Sequence, residues 1–284
     1  MSDFPIFANH AHLYPAGTRP GASLDDLKRL LDECGIEKCV CFAPFPDRLE
    51  ELTGGRESLK WIENEIRNEP ALVGFGTLDF KRGDLRAQVR EAAERGLKGL
   101  KIHPAVQEIA VTAPALLEVY DEAQSRGLFI SFHTGLHWHR IADYQILLFD
   151  EVAWRFPLLR FSMEHVGGSA FFRQALLVMC NNEPRHSENG LRHVYAGWTS
   201  IAMERDEFGS ERRGPWSLTD DELCDLVHQT GPEASIFGLD FPFKKAPYIR
   251  ASIDRVLALP ISDEAKAGIL GGNLQRVLTE QVSV

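Results

Sequence analysis

From one end of the chain to the other, short apolar or β-branched runs alternate with longer stretches whose apolar residues recur at helical spacing. Alternation of this kind predicts repeated βα units and a parallel sheet. The runs fall at Pro5–His10, Lys38–Ala43, Leu72–Leu78, Gly99–His103, Phe129–His133, Arg160–His165, His193–Gly197 and Ser235–Asp240. Eight parallel strands close a barrel, and 284 residues are an ordinary length for one. The expected fold is therefore α/β, a (β/α)8 TIM barrel forming a single domain over residues 1–284.

The helical stretches carry their own punctuation. Ser23–Cys34 opens on a candidate N-cap, Ser23, with Asp26 three residues on, and stops at Gly35. Leu85–Arg95, Pro114–Arg126 and Thr219–Thr230 run into Gly96, Gly127 and Gly231, where a left-handed residue can end a helix. Ile146–Arg155 stops ahead of Pro157, and Ser169–Asn181 and Tyr248–Leu257 complete the outer layer. The polar, glycine-containing segment Glu204–Pro215 reads as a long loop or lid over the barrel mouth.

Composition narrows the partners. There are 31 basic and 41 acidic side chains, a net charge of −10, and no cluster of Lys and Arg that would track a phosphate backbone. Nucleic acid is not an expected partner. Neither a signal-like leader nor a long apolar run is visible, so a cytoplasmic protein without membrane association is expected. Five cysteines with no CxxC pair argue against a disulfide framework and against a thiolate zinc site. Cys39 and Cys41 lie in an apolar run and read as core residues.

In a parallel barrel the chemistry sits where the strands end. His10 and His12 are one residue apart at the end of the first strand, and strict alternation would put both imidazoles on one face. Alone, a His-x-His is as well explained by two ordinary strand-end histidines. However, His133, His165 and Asp240 also end apolar strands, and four strands with such endings on one rim point to a common site. Imidazole nitrogens with one carboxylate suit Zn²⁺, and also Mn²⁺ or Fe²⁺.

The chain also resembles the amidohydrolase superfamily, in particular the branch that includes mononuclear hydrolases and nonoxidative decarboxylases. The resemblance rests on Asn9-His10-Ala11-His12 with Tyr14-Pro15, on Gly99-Leu100-Lys101-Ile102-His103-Pro104, and on Phe132-His133-Thr134-Gly135. It continues through Phe156-Pro157, Glu164-His165-Val166-Gly167-Gly168, Tyr195, Gly238-Leu239-Asp240-Phe241-Pro242 and the stretch from Gly271 to Leu278. It implies one divalent ion, Zn²⁺ first and Mn²⁺ second, with His10, His12, His133 and Asp240 as ligands. It also implies Asp240 as proton shuttle and His165 beside a bound water. The family often carries an acidic residue two positions before the first histidine. This chain has Ala8 there, so the surroundings of His10 are expected to differ.

Lys101 and His103 share one side of the fourth strand by alternation, and a substrate-binding or structural role is expected for both. A bridging, carbamylated Lys101 between two metals is the lesser alternative. His137 and His139 flank Trp138 in the loop after strand five and could touch substrate or simply be solvated. Arg140, Arg205, Arg212 and Arg213 lie in expected loops and are candidates for a carboxylate clamp. His186, His193 and His228 have no inferable partner.

The function implied is hydrolysis of a small carboxylic acid, ester, lactone or amide by a metal-activated water, with Asp240 moving its proton. Nonoxidative decarboxylation of an aromatic or unsaturated acid uses the same ligand set and is the alternative. A barrel that binds a metal or small acid without turnover is a third reading, disfavoured by the shuttle carboxylate. The expected partner is a small-molecule substrate. Barrels of this kind often form homodimers, and Trp154, Phe171 and Phe172 could serve such an interface or pack on the barrel.

Overall fold

The structure is a computed structural model that describes residues 4–186, 190–203 and 214–279. Its strands are β1 (Phe7–His12), β2 (Lys38–Phe42), β3 (Leu72–Gly76), β4 (Gly99–Ile102), β5 (Phe129–His133), β6 (Phe161–Glu164), β7 (Val194–Gly197), β8 (Ser235–Ile236) and β9 (Gly238–Phe241). All pair in parallel, in the order β8-β7-β6-β5-β4-β3-β2-β1-β9. The eighth strand expected from the sequence is thus divided at Phe237. Its first half pairs with β7 and its second half with β1. Phe237 donates its N–H to the Ile269 carbonyl at 3.0 Å and accepts from Asn9 N–H at 2.8 Å, so the break is hydrogen-bonded. Through this divided strand the sheet closes into the expected barrel, with helices around it.

The helices begin and end where side-chain chemistry places them. Ser23 and Asp26 form a reciprocal capping box at the start of Leu24–Cys34, and Thr219 and Glu222 form another before Asp220–Thr230. Gly35, Gly96, Gly127 and Gly231 all have positive φ. Apolar helix residues such as Leu27, Val89, Val119, Leu176 and Val256 pack on the outside of the barrel in one continuous core. A second cluster fills the barrel's interior: Phe7, Val40, Phe42, Phe75, Phe129, Tyr195 and Ile236 come from six strands. Leu274 and Val277 of the last helix, Asn273–Thr279, join this cluster, and Arg160 donates to the Val277 carbonyl at 2.6 Å. With one end of the barrel packed in this way, the polar strand ends at the other are left to carry chemistry. Ser23→Ala is expected to cost about 1 kcal/mol, read as a lower denaturant midpoint at unchanged slope; an unchanged midpoint would show that the cap contributes nothing.

Several boundaries differ from the sequence expectation. The first strand reaches His12, and its register slips by one residue between Ala8 and Ala11, where β2 advances only from Cys39 to Cys41. The extra residue is a bulge. His165 lies just beyond β6 with φ +65°, and His103 just beyond β4. Helices Pro46–Thr53, Ser58–Ile66 and Asp263–Ala267 were not among the predicted stretches. Cys39 and Cys41 are buried and free, as their apolar setting predicts. Phe172 is buried, Phe171 stacks on Tyr144, and Trp154 is 71% exposed. No helix among the described residues is long and apolar enough to cross a membrane. The loop or lid expected at Glu204–Pro215 lies outside the described residues as far as position 213, and so do Arg205, Arg212 and Arg213.

Candidate metal centre

At the C-terminal rim, His10, His12 and Asp240 each offer a ligand atom within 4.8 Å of the others. The geometry is not the simple alternation that the sequence suggests. His10 has φ +74°, stabilised by its own N–H donating to Asn9 Oδ1 at 2.9 Å, and the bulge swings its ring beside His12, with centroids 5.1 Å apart. Asp240, on β9, also has positive φ, as do His165 and Ser200. Left-handed backbone is costly for residues with a Cβ, and here it gathers on the residues that surround one point.

Each ring is tied down from behind. Asp240 Oδ2 accepts from Ser200 Oγ at 3.0 Å, while its Oδ1 lies 3.8 Å from His10 Nε2. His165 donates Nδ1–H to the Thr199 carbonyl at 2.8 Å, which leaves Nε2 as a lone pair, and that buried Nε2 has no hydrogen-bond partner. His133 ends β5 with its ring 4.6 Å from that of His165, and its Nε2 lies 2.8 Å from the Gly135 carbonyl. The expected ligand His133 therefore stands on the same rim, but outside the close group of three.

Lys101 and His103 are both buried beneath this rim. Lys101 Nζ lies 3.4 Å from His10 Nε2 and over the face of Phe42. His103 stacks on His133 with centroids 3.8 Å apart and accepts from Val106 N–H at Nδ1. Its Nε2 is buried without a partner. His137 lines the pocket, whereas His139 is exposed. Arg140 is exposed and paired with Asp143 at 2.7 Å.

Burial dominates the electrostatics. It holds His10, His12, His103 and His133 well below the usual imidazole range, reinforced by neighbouring cations and imidazoles, and takes His165 to about 3. All five rings are neutral, the state in which imidazole binds a cation. Burial also lowers Lys101 to about 8, against the opposing pull of Glu164 and Asp240. Asp240 is raised by burial, partly offset by Lys244. A divalent ion fits this donor set: two imidazoles and a carboxylate in one enclosed group, with a further buried lone pair on His165 close by.

The rim opens into a pocket of about 330 Å³. Tyr14, Pro44, Phe45, Val106, Trp216 and Phe243 wall it, Lys244 brings positive charge, and Arg48, paired with Glu51 at 2.6 Å, lines its edge. Lys244 lies over the Trp216 ring at 4.9 Å, and Trp216 donates to the Leu136 carbonyl at 2.8 Å. A smaller cleft of about 130 Å³ beside Arg160, His193 and Glu233 contains none of the rim histidines.

Sequence reasoning missed Lys244, Trp216, Arg48 and, above all, Glu164. Arg48 and Trp216 lie in stretches of mixed polarity that give no sign of facing a pocket. The signal for Glu164 was present: a charged residue in an apolar strand, two positions from Ser162, must share a face with it. Ala8 is buried, and the carboxylate beside His10 comes instead from β6: Glu164 Oε2 lies 3.2 Å from His10 Nδ1.

Among solved structures, the chain is similar to 5-carboxyvanillate decarboxylase from Sphingomonas paucimobilis, at 15% identity over 97% of this chain and 99% of that one, with a TM-score of 0.70. It is also similar to a manganese-bound dihydroxybenzoic acid decarboxylase from Polaromonas sp. JS666, at 15% identity over 97% of each chain and a TM-score of 0.66. A Pseudomonas putida protein, provisionally assigned as a 2-pyrone-4,6-dicarboxylic acid hydrolase, aligns at 15% identity over 98% of each chain with a TM-score of 0.66. At such identities the likeness is one of fold. No curated protein matches the chain. The sequence profile of the amidohydrolase family matches residues 10–279, nearly the whole barrel and every candidate ligand. The chain belongs to the amidohydrolase family.

Proposed function

We propose that this chain is a metal-dependent hydrolase of a small carboxylic acid, ester, lactone or amide. The observation that carries the reading is the group of buried His10 and Asp240 with half-buried His12, opening directly onto a pocket with cationic side chains. His133 is the proposed fourth ligand, and Zn²⁺ the ion favoured by nitrogen donors with one carboxylate, with Mn²⁺ second. When bound, such an ion supplies Lewis acidity and a hydroxide-like water at neutral pH.

The chain's own residues do the rest. Asp240, fixed at Oδ2 by Ser200, keeps Oδ1 available to take a proton from water and return it to the leaving group. His165, with Nδ1–H committed to Thr199, presents a lone pair that orients the same water. Lys244 meets the substrate's negative charge, and Trp216 and Phe243 exclude solvent from its apolar body. His103, which lines the pocket, serves substrate binding, while Lys101, fully buried 3.4 Å from His10 Nε2, takes the structural role.

The pocket's aromatic walls favour a second reading, nonoxidative decarboxylation of an aromatic or unsaturated acid. There Asp240 delivers a proton to the carbon that loses CO₂, a role favoured by burial, which raises its carboxyl above the usual range. Turnover of a panel of acids, esters, lactones and amides in ¹⁸O-labelled water separates the two. Label in the product without CO₂ is the expected result. CO₂ release without label would replace hydrolysis by decarboxylation, and no turnover of either kind by the metal-loaded protein would overturn both.

A further inference from the structure

We infer that Glu164 is the positioning residue of the metal centre, fixing which nitrogen of His10 faces the ion; this rests on the reading of His10, His12 and Asp240 as metal ligands. Glu164 has no solvent exposure. A carboxylate in such a place is tolerated only when its oxygens are satisfied. Oε1 accepts from Asn9 Nδ2 at 2.8 Å, Ser131 Oγ at 3.3 Å and Ser162 Oγ. Oε2 accepts from Thr199 Oγ1 at 2.5 Å and faces His10 Nδ1 at 3.2 Å, a contact that is close but not aligned as a straight hydrogen bond.

The surrounding backbone is shaped for this carboxylate. Glu164 is in register with His133 on one side and Gly197 on the other. A Cβ at Gly197 would sit 2.5 Å from Glu164 Cδ, and one at Gly238 would overlap Thr199 Oγ1. Glycine at these two positions is what leaves room for Glu164 and for its partner.

Two consequences reach the metal centre. With the proton on Nδ1, the nitrogen that Glu164 faces at 3.2 Å, the lone pair of His10 is on Nε2, the nitrogen on the Asp240 side. Thr199, held by Glu164 through its hydroxyl, accepts His165 Nδ1–H at its carbonyl. One buried carboxylate thus sets the tautomer of His10 directly and orders the group that sets His165. Asn9 joins the same arrangement, bonding Glu164 through Nδ2 and supporting the left-handed His10 backbone through Oδ1. Outer partners of ligating histidines commonly act in this way.

Two measurements test this. The first is the tautomer of His10 in the metal-free wild-type protein by ¹H–¹⁵N correlation of the imidazole, assigned by loss of the signal in His10→Ala. The Nδ1–H form is expected, and the Nε2–H form overturns the inference without any need for a Glu164 variant. The second is Zn²⁺ affinity by chelator competition for wild type and Glu164→Gln, with circular dichroism as the control for folding. A loss of about 10- to 100-fold is expected. Affinity within two-fold of wild type in a folded variant overturns the role. If wild type itself binds no Zn²⁺ or Mn²⁺, the metal reading fails, and the His10 tautomer compared between wild type and Glu164→Gln still decides whether Glu164, rather than Lys101 at Nε2, governs His10.

Discussion

Asp240→Asn is expected to leave the barrel folded and metal still bound, and to reduce turnover by about 10²- to 10⁴-fold, the range supplied by a placed acid or base. The amide keeps an oxygen for ligation, and its NH2 in the place of Oδ2 can donate to Ser200 Oγ, which in the native protein lies 3.0 Å from Oδ2. What it loses is the ability to take up and release a proton at neutral pH. The loss should therefore appear in kcat, with a smaller change in KM. Steady-state kinetics and metal analysis of one preparation check the prediction. Turnover within a few-fold of wild type would remove Asp240 from the proton-transfer role, whereas loss of metal along with turnover would make it mainly a ligand.

Removing the ion is expected to abolish turnover while the protein stays folded. The core clusters are built from apolar side chains of every strand and need no metal to cohere. The ion binds only the folded rim, so metal at a hundred times its Kd adds about 2.7 kcal/mol of stability. The corresponding fall in Tm on chelation is about 5–10 °C for a domain of this size. Elemental analysis should give about one ion per chain in the native protein and almost none in His10→Ala. His133→Ala examines the fourth ligand: its Nε2 contacts the Gly135 carbonyl at 2.8 Å, so retention of metal in that variant would leave His133 as a rim residue only. About two ions per chain would instead revive Lys101 as a bridging ligand. No ion after reconstitution would remove the basis of both proposed reactions.

The strands were legible because parallel strands buried on both faces read as continuous apolar runs, and the polar residues that end them stood out against those runs. His10, His12, His165 and Asp240 stand out in this way, and the structure groups His10, His12 and Asp240. What could not be read was local backbone geometry. Alternation put His10 and His12 on one face, and the rings do adjoin, but through a bulge and a left-handed His10 that no spacing rule specifies. Phe237 hid the division of the last strand, because its hydrogen bond runs to Ile269, a partner distant in any local pattern. Glu164 precedes a histidine in the sequence, and nothing local to it says which role it has. Its meaning depends on Asn9, Ser131 and Thr199, which lie on three separate segments and meet it only in the folded chain. Of the expected clamp arginines only Arg140 falls among the described residues, and it is exposed beside Asp143, while Arg48 and Lys244 line the cavity.

The division of the last strand has a meaning for the order in which the molecule can be completed. Its second half, β9, is the piece that meets β1, and the three closely grouped donors lie on those two strands alone. The seam of the barrel and the metal centre are therefore one place. An ion held there is a clasp between β1 and β9, the first and last strands of the barrel in chain order. No fragment that stops short of β9 can form that clasp, and a chain that closes with its seam out of step misplaces Asp240 against His10 and His12. Possession of the ion then reports that the ring has been shut in the correct register.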